Sequence, residues 1–291
     1  MSLVARGKVR DVYESGDRLL MVASDRISTF DRVHPTAVPG KGLVLTGVSV
    51  FWFERTRAIC PNHLVSFEDV PPELRGRALL VERLDMVPLE CVVRGRLAGS
   101  AWHEYAASGL VGGTRLPAGL SEGQELPEPL FTPATKADEG AHDETVSFDQ
   151  AVEIVGDRAL AEELRRLSLA LFEEGRAHLA TRGVVLVDTK FEFGGAADGR
   201  LVLGDEVITP DSSRLRPAAG GSEGSGASWD KQPVRDWADA SGWDRSEPAP
   251  PLPPEVVEAT SLRYRDAYQR VTGEPLEAWI ERSGAAAGAV A

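Results

Sequence analysis

Residues 184–195, VVLVDTKFEFGG, combine an apolar run with charged side chains at every second position. The charged residues are Asp188, Lys190 and Glu192, and a threonine and two phenylalanines alternate with them. In an extended chain, successive side chains point to opposite faces. Two carboxylates and one ammonium group therefore share one face of a strand whose other face is apolar. This pattern fits either a solvated sheet face or the floor of a charged active site.

A further carboxylate, Asp205, follows this strand across a predicted hairpin. GGAADGR has the composition of a turn, and RLVLGDEV is the returning strand. Glu192 and Asp205, held on strands, would supply the oxygen ligands that Mg²⁺ takes together with phosphate oxygens, and Lys190 would contact a phosphate. A tight hairpin would instead place Asp205 nearer Asp188, and the sequence leaves both registers open.

Cations and small polar residues recur in four segments with loop composition. Glycine lets the backbone approach a ligand, and Lys and Arg neutralise phosphates. The segments are RGKVRDVY with Gly7, Lys8 and Arg10; VVRGRLAGS with Arg94, Arg96 and Ser100; FTPATKADEGAHD with Lys136, His142 and Asp143; and TPDSSRLR with Asp211, Ser212, Ser213 and Arg214. Each segment alone is typical of an ordinary polar loop. Together with the carboxylate pair, they indicate an ATP-dependent enzyme that uses magnesium and acts on a small phosphorylated anion.

The charge balance and the cysteines exclude several classes of protein. The 45 acidic residues outnumber the 32 basic ones, for a net charge of −13, which argues against general binding to nucleic acid or to an anionic membrane. No apolar run reaches the ~18 residues of a membrane span, and the charged N-terminal segment does not resemble a signal peptide. Cys60 and Cys91 are spaced for neither a metal site nor a disulfide framework. We therefore expect a cytoplasmic protein with reduced cysteines.

The N-terminal part of the chain has strand patterns and one long apolar helix. KVRDVYES and RLLMVAS, joined by GD, predict a hairpin. LVLTGVSVFWFERTRAI predicts a helix that ends before Pro61. ALLVERLDMVPLECVVRGR predicts two strands separated by a connector near residues 82–88. We place a lobe boundary at this connector.

The remainder mixes loops, helices and strands. Residues 109–140 are rich in Gly and Pro and predict mostly loop. The segment from Ser147, a candidate N-cap, to Gly183 predicts one or two amphipathic helices, and a C-terminal helix closes at Gly273. These patterns predict an α+β protein with a β-rich lobe over residues 1–87, a mixed lobe over residues 88–282 and a disordered tail over residues 283–291.

Eight motifs follow one another in an order that resembles the SAICAR synthetase family of purine biosynthesis, over about residues 5–282. They are GKVRDVYE, SDRISTFD, PGKG, LDMVPLECVVRGRLAGS, PLFTPATKADEGAHDE, LVDTKFEFG, LGDEVITPDSSR and SWDKQPVRDW. The resemblance implies a bilobal α+β fold. A small antiparallel, kinase-like N-terminal lobe would bind ATP, a larger α+β lobe would bind substrate and metal, and the active site would lie in the cleft between them.

The resemblance also implies the reaction. The family joins the carboxylate of carboxyaminoimidazole ribonucleotide to the amine of L-aspartate and converts ATP to ADP and phosphate, with Mg²⁺ as cofactor. A carboxylate is a poor electrophile, and its phosphorylation to an acyl phosphate would supply a good leaving group. Mg²⁺ and nearby cations would stabilise the charge on the transferred phosphoryl group.

The family's site residues carry over to matching positions of this chain. The implied catalytic residues are Lys136, Lys190, Glu192 and Asp205, of which Glu192 and Asp205 also hold the metal. The implied ATP contacts are Gly7, Lys8, Arg10, Glu82, Leu84 and Met86. The implied substrate contacts are Asp25, Arg26, Asp31, Arg94, Ser100, Asp211, Ser213, Arg214, Lys231 and Gln232. Among these, Arg94, Ser100 and Arg214 would bind the 5′-phosphate of the ribonucleotide.

Two other functions are compatible with parts of the pattern. One is another ATP- and magnesium-dependent ligase or kinase acting on a small phosphorylated acid. The other is a catalytically silent nucleotide-binding module, which the retained carboxylates and cations disfavour. One segment departs from the family pattern: an aromatic and proline-containing stretch is usual after DSSRLRP, whereas residues 218–228 here are AAGGSEGSGAS.

Overall fold

The computed structural model describes residues 1–136, 143–218 and 228–286, and its elements give an α+β fold. Its strands are β1 (Leu3–Arg6), β2 (Arg10–Ser15), β3 (Arg18–Ala23), β4 (Ser28–Thr29), β5 (Arg32–Val33), β6 (Leu64–Ser66), β7 (Ala78–Val81), β8 (Asp85–Met86), β9 (Leu89–Arg96), β10 (Leu110–Val111), β11 (Thr114–Arg115), β12 (Glu125–Phe131), β13 (Ala134–Thr135), β14 (Val184–Gly195), β15 (Leu201–Gly204) and β16 (Ser213–Pro217). Its helices are α1 (Lys41–Thr56), α2 (Ser100–Ser108), α3 (Phe148–Val155), α4 (Arg158–Ala180), α5 (Gln232–Ala240), α6 (Pro254–Thr272) and α7 (Leu276–Ser283).

The N-terminal sheet has five antiparallel strands in the order β1-β2-β3-β7-β6. Strands β2 and β3 form the predicted hairpin, with Ser15 opposite Arg18 and Gly16 in a left-handed conformation that an L side chain rarely adopts. The predicted apolar helix is α1, whose Trp52 and Phe53 are buried in the core. Both predictions are confirmed.

The predicted connector between the N-terminal sheet and β9 contains the short strand β8. Met86 is paired with Gly194 of β14, and the amide of Val87 donates to the carbonyl of Phe193 at 2.9 Å. The connector is thus fixed along the strand that carries the charged face. The division into lobes at residue 87 stays a prediction.

The central sheet has the strand order β12-β9-β14-β15, and β16 and β8 also pair with β14. Phe191 and Phe193 are fully buried on the apolar face of β14, which confirms the predicted two-faced strand. Residues 109–140 contain more strand than expected, because β12 pairs with β9 at the sheet edge. The register shift between Glu125 and Leu130 spans two prolines, which cannot donate to a strand ladder.

The predicted helices between Ser147 and Gly183 are α3 and α4. Ser147 is the N-cap of α3: its Oγ accepts from the amide of Gln150, and its own amide donates to the Gln150 side chain at 2.8 Å. Gly273 ends α6 as predicted. Helices α2, α5 and α7 are additional, and α7 includes Ser283 of the predicted tail, whereas residues 287–291 lie outside the described residues. Within the described ranges, no helix is long and apolar enough to cross a membrane.

Candidate active site

The charged face of β14 forms a cluster of two glutamates and two lysines, here called the Glu192 cluster: Glu90, Lys136, Lys190 and Glu192. Glu192 is buried, and each of its oxygens has a cation beside it: Lys190 Nζ lies 2.8 Å from Oε1 and Lys136 Nζ lies 2.6 Å from Oε2. Lys190 Nζ is also 2.6 Å from Glu90 Oε1. The structure therefore brings together the predicted residues Lys136, Lys190 and Glu192, and adds Glu90.

Neighbouring opposite charges stabilise the ionised forms of Glu192 and Lys190 in this cluster. Burial alone would raise the pKa of Glu192, but Lys190 and Lys136 outweigh it and lower the pKa to about 2. Burial opposes the charge of Lys190, but the two glutamates outweigh it and raise the pKa of the ammonium group. Burial raises the pKa of Glu90. Glu192 is consequently ionised and Lys190 protonated at neutral pH.

Asp205 lies beside this cluster because Glu192 is opposite Gly204 in the β14–β15 pair. The alternative register, with Asp205 near Asp188, is wrong, since Asp188 is instead paired with residues of β9 and β16. The carboxylate of Asp205 contacts the guanidinium of Arg10, whose second terminal nitrogen lies 3.3 Å from Glu206 Oε2. Arg10 thus joins the N-terminal sheet to the end of β15.

The predicted glycine loop, between β1 and β2, is a tight turn in which the amide of Gly7 donates to the carbonyl of Arg10 at 2.7 Å. Arg26 braces this loop by donating to the carbonyls of Gly7 and Lys8, both at 3.1 Å, and to Asp11 at 2.8 Å. Gly7, Lys8 and Arg26 are therefore held together at the mouth of the first hairpin.

The SDRISTFD segment divides into two places. Asp31 Oδ1 lies 2.5 Å from Lys8 Nζ, and Asp31, Lys8 and Arg26 line one cavity of about 930 Å³. Asp25 lies instead at the start of α1, where its Oδ1 accepts from the amide of Gly42 at 2.8 Å. The structure thus places Arg26 and Asp31 beside the glycine loop. Asp25 lies apart from them, because its carboxylate accepts a hydrogen bond from an amide in the first turn of α1.

The connector residues Glu82, Leu84 and Met86 lie beside the β14–β15 hairpin near its turn. A Cβ added to Gly194 would lie 2.8 Å from Leu84 Cβ, and one added to Gly204 would lie 3.4 Å from Met86 Cε. Gly194 therefore permits a close approach that a larger residue would prevent, whereas a Cβ at Gly204 would make an ordinary van der Waals contact. The amide of Glu82 donates to the carbonyl of His63 at 2.8 Å. Adenine binding by this connector stays a prediction.

Asp188 lies between two arginines on the neighbouring strands, because it is in register with Arg94 of β9 and with Arg214 of β16. Its Oδ2 lies 3.3 Å from Arg94 Nη1 and 2.5 Å from Arg214 Nη1. Arg94 is buried and also donates to Thr132 Oγ1 at 2.9 Å and to Ser100 Oγ at 3.4 Å. Arg94, Ser100 and Arg214 therefore come together as predicted.

This arginine pair lies at the N-terminus of α2, whose first residue is Ser100. Gly99 has a φ of 58°, which strains any other residue, and a Cβ added to it would lie 2.6 Å from Arg214 Nη2 and displace this guanidinium. A cavity of about 600 Å³ is lined by Gly99, Arg214, Arg216 and Gln232. Helix N-termini and guanidinium groups both attract anions, and the arrangement is suited to a phosphate.

A second charged cluster, here called the Asp211 network, consists of Lys41, Asp211, Lys231 and Tyr264. Lys41 Nζ lies 2.7 Å and Lys231 Nζ 3.4 Å from Asp211 Oδ2, while the Tyr264 hydroxyl donates to Oδ1 at 2.5 Å. Burial lowers the pKa of Lys41, whereas Lys231 and Lys41 outweigh burial and lower the pKa of Asp211. The carboxylate is enclosed by these three partners.

Lys41, Tyr264, Asp188 and Glu90 are the site residues that the sequence reasoning left unassigned. Lys41 had a usable signal, because a lysine that opens a largely apolar helix needs a partner if the helix is buried. Ser213, which was predicted, lies on β16 with its Oγ 2.8 Å from Thr189 Oγ1. His142 lies outside the described residues, as does most of the atypical segment 218–228.

The side chains around Glu192 offer few ligands for Mg²⁺. In the ranges that the structure describes, no group of three or more His, Cys, Asp or Glu side chains is arranged to hold a metal. Glu192 on β14 and Asp205, the residue after β15, supply two carboxylates. Mg²⁺ is commonly bound by one or two carboxylates together with water and substrate phosphates. The residues present therefore fit a magnesium ion that arrives with a nucleotide, better than a site built from protein ligands alone.

The comparisons with known proteins agree with one another. The family described as SAICAR synthetase matches residues 3–250. The phosphoribosylaminoimidazole-succinocarboxamide synthase of Saccharopolyspora erythraea is 55% identical over 95% of this chain and 95% of its own, and that of Salinispora tropica is 51% identical over 94% and 99%. The SAICAR synthase of Saccharomyces cerevisiae complexed with SAICAR is 39% identical with a TM-score of 0.84, covering 94% and 96%. A SAICAR synthetase in complex with ADP is 29% identical with a TM-score of 0.71, covering 94% and 99%.

Proposed function

This chain belongs to the SAICAR synthetase family, and from that premise we propose how its two charged sites divide the reaction. The enzyme is an ATP-dependent ligase of purine biosynthesis that joins the ribonucleotide carboxylate to the amine of L-aspartate. The relatives named above carry this ligase name and neither of the alternative functions that the sequence allowed. The assignment of residues to ATP, metal and ribonucleotide is our proposal.

The nucleotide would lie between the connector and the glycine loop. A relative solved with ADP supports a nucleotide site in this fold. Lys8 and Arg10 would contact the phosphates, and the backbone of residues 82–86 would contact adenine. Glu192 and Asp205 would hold Mg²⁺, which when bound supplies positive charge to the transferring phosphoryl group. Lys136 and Arg10, which neutralise these two carboxylates in the structure, would then turn to phosphate oxygens.

The ribonucleotide would span the charged face of β14. Arg94, Arg214 and Ser100 would bind its 5′-phosphate at the N-terminus of α2. Asp188 and Glu192 are four residues apart on the same face, which in a strand corresponds to about 13 Å. That separation is comparable with the extended length of a ribonucleotide. This spacing of an anion site and a metal-type site along one strand is the observation that carries the proposal.

The chemistry follows from this placement. The γ-phosphoryl group would move from ATP to a carboxylate oxygen of the ribonucleotide, and ADP would leave. The aspartate nitrogen would then attack the carboxyl carbon, the bond to the phosphate oxygen would break, and the amine would lose a proton as phosphate departs. Lys190, between the two ends of the strand face, would hold the reacting carboxylate while Lys136 and Arg10 neutralise the transferring group.

The test is a pair of measurements on the purified protein. ADP release is followed with ATP and Mg²⁺, with L-aspartate and the ribonucleotide added separately and together. Release that requires both acids, with succinocarboxamide formed, is expected. A ribonucleotide labelled with ¹⁸O in its carboxylate should then pass one label to inorganic phosphate. Phosphate without label would contradict the acyl-phosphate step while leaving the ligase activity in place.

A further inference from the structure

The segment from Asp205 to Arg214 joins the two halves of the proposed site. Asp205, at one end, contacts Arg10, and Arg214, at the other end, contacts Asp188. Two non-glycine residues of the segment, Asp205 and Ile208, have left-handed backbone angles, with φ of 55° and 44°. Such conformations persist only where the surroundings fix them. What fixes this segment therefore decides where both of its functional ends point.

Local hydrogen bonds close the middle of the segment. Glu206 Oε2 accepts from Thr209 Oγ1 at 2.8 Å and lies 3.3 Å from Arg10 Nη2. The amides of Asp211 and Ser212 each donate to Thr209 Oγ1 at 3.2 Å. These bonds shape the turn, but apart from Arg10 they all come from the segment itself and cannot fix it relative to the rest of the molecule.

Two long-range contacts anchor the segment. Its C-terminal end is paired with β14 through Ser213 and Arg214. The amide of Lys190 also donates to the carbonyl of Ser212 at 3.0 Å.

The second anchor is the Asp211 network. Its three partners for the Asp211 carboxylate come from different places: Lys41 begins α1, Lys231 precedes α5, and Tyr264 lies in α6. The Lys41 side chain has no exposed surface, and that of Asp211 is 2% exposed. Asp211 is therefore enclosed by protein. In this position its carboxylate anchors the Asp205–Arg214 segment and does not face a substrate.

We propose that Lys41 is a positioning residue: by fixing Asp211 in the interior, it sets, together with the pairing of β16 with β14, the direction in which Arg214 meets the ribonucleotide phosphate. The inference rests on the proposed function of Arg214. Stability alone is a poor account of the pair, because apolar residues of similar volume often replace a buried ion pair without loss of stability. A buried lysine and aspartate do fix one geometry, and an error of 1 Å in a positioned group can cost about a hundredfold in rate.

The experiment compares Lys41→Met, Asp211→Asn and the double variant. Each is assayed for thermal stability and for the KM of the ribonucleotide and of ATP. We expect Lys41→Met to lower kcat/KM for the ribonucleotide by about tenfold to a hundredfold, with KM for ATP changed less than about threefold. Both single variants leave a buried charge with fewer partners, and each should be less stable than the double variant.

The double variant separates positioning from mere stabilisation, and it carries the test if Lys41→Met does not fold. A positioning role predicts that it regains stability while KM for the ribonucleotide stays raised. Recovery of both quantities would overturn the inference. Tyr264→Phe is the matched control, since it removes one donor to Asp211 without changing charge, and it should have a smaller effect.

Arg214→Met distinguishes this inference from the proposed function beneath it. If Arg214→Met leaves KM for the ribonucleotide unchanged, the assignment of Arg214 to the phosphate is wrong. If Arg214→Met raises that KM but neither Lys41→Met nor the double variant does, the phosphate site stands and the role of Lys41 is wrong.

Discussion

The Glu192 cluster and the Asp211 network are built from the same parts, a carboxylate between two lysines, but they differ in access to solvent. The Lys136 side chain beside Glu192 is 44% exposed, whereas the Lys41 side chain beside Asp211 is fully enclosed. An exposed lysine can leave its carboxylate when a metal or phosphate arrives. An enclosed lysine cannot move away from its carboxylate without rearranging the protein around it. Burial therefore decides whether an ion pair is available for exchange with a ligand or serves to fix geometry.

The balance of charge in each cluster supports this distinction. Lys190 lies between two glutamates, and its ammonium charge is favoured. Lys41 shares one aspartate with Lys231, and burial lowers its pKa. The first cluster thus keeps Glu192 ionised and Lys190 protonated beside the partly exposed Lys136, whereas the second holds its charges against the cost of desolvation.

The largest effect should come from Glu192→Gln, which removes the exchangeable carboxylate. We expect kcat to fall by roughly a thousandfold or more, because the site would lose a proposed metal ligand where the phosphoryl charge would develop. ADP release with both substrates, measured across a Mg²⁺ titration, checks this, and circular dichroism shows whether the fold is kept.

Asp198→Asn is the matched control for Glu192→Gln. Asp198 lies in the turn of the same β14–β15 hairpin and is exposed, with Arg200 as its partner. The same loss of one acidic charge there should leave kcat within about twofold, as for most surface substitutions. Full activity in Glu192→Gln would contradict the assignment of Glu192 as a metal ligand. The proposed difference between an exchangeable and a fixed ion-pair cluster would then be wrong as well.

The second effect concerns two arginines on β16 that line the same cavity. Arg214 is held by Asp188, whereas Arg216 is exposed. Arg214→Met should lower kcat/KM for the ribonucleotide by about a hundredfold, as expected for loss of a positioned charge partner, and Arg216→Met by less than about threefold. Steady-state kinetics with varied ribonucleotide check both. Equal losses would mean that general positive charge, and not fixed geometry, binds the phosphate.

Local patterns made much of this molecule predictable. The alternation in VVLVDTKFEFGG predicted a two-faced strand, and Ser147 followed three residues later by Gln150 is a capping pattern that the structure contains. Each of these signals lies within a few residues, so no knowledge of the fold was required. The ordered motifs added the family, and with it the sets of residues to examine.

Long-range pairing was not predictable from local pattern. Lys41 and Asp211 come from distant parts of the sequence, and only packing of α1 against the β15–β16 segment brings them together. Asp25 shows a second limit, because a loop carboxylate beside an arginine has the same sequence signature whether it binds substrate or a helix N-terminus. The sequence leaves the β14–β15 register open for the same reason, and the pairing of Glu192 with Gly204 decides it.

A third prediction uses the pH dependence of stability to measure the charge held at Glu192. Its pKa is lowered from 4.5 to about 2, so its stabilising contribution is present above about pH 4.5 and is lost as the pH falls toward 2. The shift corresponds to about 3 kcal/mol. Urea unfolding of the wild type and Glu192→Gln at several pH values in this window should show their difference in stability shrinking as the pH falls. A difference that stays constant would mean that the lysines do not hold this charge.

The smallest effect should come from Asp25, a carboxylate intermediate between the two clusters in exposure. Its Oδ1 accepts from the amide of Gly42, and its Oδ2 lies 3.6 Å from Arg77. If this carboxylate serves α1, Asp25→Ala should cost about 1 kcal/mol of stability, the usual cost of losing an N-terminal acceptor. Asp25→Asn keeps an oxygen for Gly42 and should cost less. The KM values for both acids should stay within about twofold in either variant, since neither change alters a substrate contact. A raised KM at unchanged stability would mean that Asp25 contacts a substrate, as the family resemblance implies. It would also show that a carboxylate less exposed than the Lys136 side chain can exchange its protein partner for a ligand.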